Sequence, residues 1–134
     1  MYLPLNDWGA RFLMEGWQNG GGDPFGSCHF LVARTGTIVV PLEVPADRAF
    51  AVDVEARAEG AATGTLSLDV AINGRSFGDM RLNIGGAAPT RQVFVTPPGV
   101  RLWRRGYNRV TLSRAEAPAG VGVIVYVLRL GPQR

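Results

Sequence analysis

Ser27-Cys28-His29 sets a hydroxyl, a thiol and an imidazole in a row, side chains suited to nucleophilic and acid–base chemistry. Neighbouring residues of an extended strand point to opposite faces, so Cys28 and His29 cannot meet as nucleophile and base at the ~3 Å that proton transfer requires. His29 is the sole histidine, so any His-dependent step would use it, oriented by Asp23 or a more distant acid. One Cys and one His are too few for a closed zinc site. Asp23, inside the run "NGGGDPFG", is the carboxylate on offer for a structural calcium, supplemented by carbonyls that the glycines leave free. The same run lacks the Gly-Lys-Ser/Thr ending of a phosphate-binding loop. No catalytic constellation emerges, and the chain reads as a non-enzyme.

Binding chemistry is better supplied. Aromatic rings stack on the apolar face of a pyranose, while Arg, Asp and Asn hydrogen-bond its hydroxyls. Trp103, Arg104, Arg105 and Tyr107 follow closely on one another, Arg75 follows an Asn-Gly pair, and Trp8 adds a further ring. These six residues form the candidate ligand-binding set. Trp103 has two readings: an exposed stacking surface, or a ring covering one end of the fold while its neighbouring arginines wet the rim. Trp17, after Gly16, reads as a core plug.

All 14 basic residues are Arg, and they are set against 11 acids for a net charge of +3. The Arg-only, Ala/Gly/Val-rich composition points to a bacterial source. Arg binds phosphate in bidentate fashion, but here it is scattered singly except at Arg101, Arg104 and Arg105, which argues against a nucleic-acid partner. No run of 18 apolar residues occurs, so no membrane span is expected. "MYLPLNDWGARFL" has no basic segment before an apolar one, so no secretory signal is read there. A lone Cys fits both cytoplasm and export, and the compartment stays open between a cytoplasmic protein and part of a larger exported assembly.

The elements that must position these residues are strands. A chain of 134 residues is long enough for one core, and 18 Gly, 9 Pro and 19% charged residues favour a turn-rich β protein. In "AFAVDVEARA", Phe50, Val52, Val54, Ala56 and Ala58 face one way and Asp53, Glu55 and Arg57 the other. Leu66, Leu68, Val70 and Ile72 repeat the pattern before Asn73-Gly74, a hairpin turn, with return pairing through Phe77, Met80, Leu82 and Ile84 and a bulge at Gly78. "CHFLVAR", "GTIVVPLEV", "RQVFVTP" and "YNRVTLSR" are further strands. "VGVIVYVLRL" is apolar on both faces, which places it mid-sheet or under the N-terminal segment. About eight strands without a helix predict an antiparallel two-sheet sandwich over residues 28–134. Residues 1–27 are expected as an irregular segment packing on or extending from it, with too many glycines in "NGGGDPFG" to hold a strand.

The order "GW", "TIVVPLEVP", a long alternating strand, "VAINGRSFGDMRL", "RQVFVTPPGVRLWRRGYNRVTL" and an apolar last strand resembles the galactose-binding-like jelly-roll family. The particular matches are the hairpin Val70 to Gly78 and the segment from Leu102 or Trp103 through Gly106, Asn108, Val110 and Leu112. That resemblance implies an all-β jelly-roll sandwich. It also implies a non-catalytic carbohydrate-binding or accessory module of a bacterial polysaccharide system, and members often carry a structural calcium in an early loop. The alternative is a structural sandwich that assembles through subunit contacts, as homo- or hetero-oligomer, in a phage- or surface-associated complex. The expected partner is thus a glycan or a protein.

Overall fold

A computed structural model of the chain describes residues 2–4, 17–23, 26–31, 35–42, 50–61, 63–96, 102–114 and 121–132, with the backbone alone for 2–4, 18–23, 26–31, 42, 50, 127, 128, 130 and 132. Among these residues there is no helix, and ten strands form two antiparallel sheets. The strands are β1 (Tyr2–Pro4), β2 (Trp17–Asp23), β3 (Gly26–Leu31), β4 (Thr35–Leu42), β5 (Phe50–Glu59), β6 (Thr65–Ile72), β7 (Arg75–Asn83), β8 (Thr90–Thr96), β9 (Gly106–Arg114) and β10 (Gly122–Pro132). One sheet runs β2-β3-β10-β5-β8 with β1 also on β10; the other runs β4-β9-β6-β7.

Alternation builds the core between them. Val52, Val54, Ala56 and Ala58 of β5 are fully buried, as are Leu68, Val70 and Ile72 of β6 and Val110 and Leu112 of β9. Each large aliphatic side chain removed from water in this way contributes about 1.5–3 kcal/mol. β10 occupies the middle of its sheet, as its two apolar faces predict. Val123 and Val125 enter the core, while Ile124 and Tyr126 are buried outside it. A register shift between Val125 and Val127 makes Tyr126 the extra residue of a bulge, and Arg57 Nε donates to its hydroxyl at 3.2 Å.

Two glycine positions explain the β6–β7 hairpin. Asn73 and Gly74 have φ of 49° and 84°, the pair of positive values that a tight two-residue hairpin turn demands. The bulge expected at Gly78 falls one residue earlier: Gly78 pairs with Val70 and Ser76 with Ala71, so Phe77 is the extra residue and leaves the pairing expected of it. Phe77 then reaches across the sandwich edge to Phe94 of β8, with ring centroids 6.0 Å apart. A Cβ on Gly78 would lie 3.0 Å from the Phe94 ring, so this close approach needs a residue without one.

The glycine run is a correction. Trp17–Asp23 forms β2, antiparallel to β3, despite Gly20, Gly21 and Gly22. Glycine weakens a strand but retains both backbone hydrogen-bonding groups, and the ladder to β3 uses them, with a register shift between Asn19 and Gly21 that absorbs one residue. Tyr2–Pro4 also joins the sheet, on β10. Ser27, Cys28 and His29 lie in β3, whose backbone is flanked by β2 and β10.

Candidate functional site

Of the six sequence candidates, Trp103, Arg104, Arg105, Tyr107 and Arg75 lie at the end of the four-stranded sheet where the β6–β7 hairpin turns and β9 begins. Two asparagines hold this end together. Asn73 Nδ2 donates to Leu102 O at 2.8 Å and to Asn108 Oδ1 at 2.9 Å, and Asn73 Oδ1 accepts from Arg109 N at 2.9 Å. The backbone N of Asn73 donates to Arg109 O at 2.8 Å. Asn108 is fully buried; its Oδ1 accepts from Arg104 N at 2.8 Å and its Nδ2 donates to Arg104 O and Gly106 O at 2.8 and 3.1 Å. Polar groups placed out of water need such partners, and no buried side-chain N or O among the described residues lacks one.

Four arginines leave this framework for solvent. Arg104 and Arg105 precede β9, Arg109 lies on its outer face, and Arg75 stands opposite Ile72 at the hairpin rim. From β9 across β6 to β7 is two strand spacings, roughly 10 Å. All four are exposed, and among the described residues none forms an ion pair. Arg104 Nε donates to Tyr107 O at 3.1 Å, which turns that guanidinium toward the strand carrying the phenol. Tyr107 itself is 70% exposed beside Pro41 of β4.

Trp103 is corrected from the stacking reading. It is 5% exposed and belongs to the core, and its Nε1 donates to the buried Thr96 Oγ1 at 3.1 Å. A large apolar ring with one satisfied donor is more stable closing the sandwich than in water, and the arginines after it stay on the rim. Trp17 packs partly buried on the core, its Nε1 donating to Thr37 O at 3.2 Å. Trp8 lies outside the described residues, as does the side chain of Asp23. No three His, Cys, Asp or Glu side chains among the described residues converge to hold a metal ion, so calcium has no assigned ligands here.

Sequence reasoning missed three features. Asn73 was legible as a turn residue, but its bonds to the segment before β9 were not. Asn108 carried a usable signal, because it shares parity with Val110 and Leu112 and so points inward. On the opposite sheet, Asp53 of the wet face is only 6% exposed: Arg91 Nε donates to both its oxygens at 3.0 and 2.8 Å, and Arg129 Nη1 lies 3.2 Å from Oδ2. Hydrogen bonds from Arg91 to Asp53, and then their charge attraction, raise the Arg91 pKa above its ordinary value.

Comparison with known proteins fixes the fold class. No family model matches the sequence, and no match is found among curated proteins. Solved structures do match over nearly the whole chain. The CBM36-1 domain of a multidomain xylanase from the hindgut metagenome of Trinervitermes trinervoides aligns with a TM-score of 0.61 at 14% identity, covering 90% of this chain and 89% of that one. The carbohydrate-binding module CBM6cm-2 from Cellvibrio mixtus lichenase 5A, solved with cellotriose, aligns at 0.60 and 11% identity, covering 100% and 98%. A CBM36 module in complex with calcium and xylotriose aligns at 0.53 and 16%, covering 89% and 97%. The chain therefore has the galactose-binding-like jelly-roll fold that these carbohydrate-binding modules share.

Proposed function

We propose that this chain is a non-catalytic carbohydrate-binding accessory module of a bacterial polysaccharide system. Its sugar site lies at the β6–β7 and β9 end and uses Tyr107, Arg104, Arg105 and Arg75. The observation that carries the reading is Tyr107: a phenol 70% exposed, on a strand start held by buried hydrogen bonds, with guanidinium donors on the same segment. A pyranose needs that pairing of an apolar face and directed donors. The framework is set before a ligand arrives, so little ordering entropy opposes binding. The full-length likeness to modules solved with xylotriose and cellotriose supports it. Affinity electrophoresis and calorimetry against a panel of soluble polysaccharides test it. Saturable binding weakened at least tenfold in Tyr107→Ala is expected; no retardation by any glycan overturns it.

A second reading, self-assembly, draws on β8. This strand is the edge of the six-stranded sheet, and Val93 and Val95 are 48% and 38% exposed on it. An edge with exposed valines is a surface for strand pairing. Light scattering at high concentration, with Val93→Lys as the disrupting variant, tests it; a strict monomer overturns it.

A further inference from the structure

We infer that the glycan recognised at this end is anionic, carrying uronate carboxylates or sulfate esters; the inference rests on the carbohydrate-binding reading and specifies its ligand class. Charge placement carries it. The ion pairs seen among the described residues, Arg57–Glu59, Arg91–Asp53 and Arg129–Asp53, all lie on the six-stranded sheet. Arg75, Arg104, Arg105 and Arg109 lie at one end of the other sheet without a carboxylate partner among the described residues.

Acids are present on that same sheet, yet they bind hydroxyls. Ser76 Oγ donates to Asp69 Oδ1 at 3.2 Å, and Ser67 Oγ donates to Asp79 Oδ2 at 3.0 Å. Asp69 and Asp79 face each other across β6 and β7, and the side-chain bonds of these two carboxylates go to Ser76 and Ser67 and to none of the four arginines. Guanidiniums gathered at one end with no acid bonded to them repel one another, and an anion is the ligand that relieves this.

The backbone that carries them is fixed. Asn73 and Asn108 bind backbone atoms of residues 102, 104, 106 and 109, so Arg104 and Arg109 start from positions set relative to the hairpin that carries Arg75. The Arg104 Nε bond to Tyr107 O ties that guanidinium to the backbone of the residue that carries the exposed phenol, with its terminal Nη atoms as further donors. A guanidinium edge matches carboxylate and sulfate oxygens in pairs, and the phenol takes a sugar face. A nucleic-acid strand calls instead for successive rings along a basic groove, and Tyr107 is the one exposed ring among the described residues of this end.

Affinity electrophoresis and calorimetry with four glycans decide it: polygalacturonate, methyl-esterified pectin as its discharged counterpart, dextran sulfate, and dextran. Binding to polygalacturonate or dextran sulfate, or both, is expected, at least tenfold tighter than to the matching neutral chain. The two charged arms tell carboxylate from sulfate. The tight binding is expected to fall at least tenfold between 50 and 500 mM NaCl, as screening shortens the reach of exposed charges. Arg75→Glu with Arg105→Glu is expected to abolish the preference. Arg81→Glu, on β7 far from the turn, leaves it intact. Tryptophan emission confirms folding of each variant, since Trp103 is buried. Equal binding to charged and neutral partners, or no effect of the double variant, overturns the anionic assignment while leaving carbohydrate binding in place. Tighter binding to oligo(dT) than to any glycan overturns it in favour of nucleic acid. Silence in all four arms overturns the anionic assignment, and carbohydrate binding falls with it only if the wider polysaccharide panel is silent too.

Discussion

Asn73 Nδ2 donates to Asn108 Oδ1 at 2.9 Å and so joins the apex of the β6–β7 hairpin to the start of β9. The two residues are 35 positions apart, and between them they serve five other backbone groups. Turn geometry, the end of the core and the exposed arginine segment therefore share one polar network. Inside a low-dielectric region such a network is rigid when complete and costly when broken.

Asn108→Ala removes the β9 end of that network and leaves Asn73 bonded to Leu102 O and Arg109 N. It leaves the backbone groups of Arg104 and Gly106 that Asn108 served to find other partners or water. A loss of about 2–4 kcal/mol is expected, measured by urea unfolding, because several buried hydrogen bonds go at once. Asn73→Gly keeps the positive φ and loses only the side-chain bonds, so a smaller loss of about 1–2 kcal/mol is expected. The double variant should cost less than the sum, since the Asn73–Asn108 bond is counted in both singles.

Much of this was legible in the residues, for reasons of period and turn chemistry. Val52 to Ala58 and Leu66 to Ile72 alternate because each strand has one dry face, and Asn73-Gly74 can hardly be anything but a tight turn. The expected mid-sheet place of "VGVIVYVLRL" follows from its lack of a wet face. β2 was not legible because its glycines suppress every side-chain signal, while pairing to β3 depends only on backbone groups. The burial of Trp103 was obscured by the arginines after it: a local sequence cannot tell a rim from a site. Asp53 looked like any wet-face acid, and Arg91 and Arg129, which cover it, come from β8 and β10, distant in sequence.

Gly78→Ala tests the sandwich edge. Its new Cβ would sit 3.0 and 3.1 Å from two carbons of the Phe94 ring, inside normal contact. Phe94 is 7% exposed and packed on Phe77, so the ring has little room to retreat. A loss of about 1–3 kcal/mol is expected in thermal or urea unfolding, as for other overpacked sites. In a Phe94→Leu background the added cost of Gly78→Ala should shrink, because a smaller side chain makes room. An unchanged cost would place the effect in the backbone alone.

Trp103 separates packing from its polar contact. Trp103→Phe keeps most of the apolar volume and removes the donor to Thr96, with about 1–2 kcal/mol of loss expected. Trp103→Ala opens the end of the core and should cost about 3–5 kcal/mol. Because the ring is buried, its emission in the native protein should be blue-shifted and should not be quenched directly by a sugar. Quenching assigned to Trp103 at low glycan concentration would contradict its position beneath the rim.

Asp53 on the six-stranded sheet offers an electrostatic test independent of the arginine end. Its carboxylate is 8% exposed and is shared by Arg91 and Arg129, whose side chains are 60% and 39% exposed. Asp53→Ala removes the centre of the cluster, so a loss of about 1–3 kcal/mol is expected from charge-assisted hydrogen bonds. Arg91→Ala should cost less than Asp53→Ala, since Arg129 remains and an exposed guanidinium's attraction is screened by water. Raising salt should narrow the gap between wild type and Arg91→Ala more than it changes Asn108→Ala, whose partners are uncharged. The pH dependence has a definite sign. A group with a raised folded-state pKa gives stability that is present below its unfolded value and is lost as pH rises through the folded one. For Arg91 both values lie at the strongly alkaline end, so its contribution should be constant from pH 7 to about 10. Urea midpoints of wild type and Arg91→Ala measured across that range should therefore run parallel, and a converging pair would show that Arg91 is not held by Asp53.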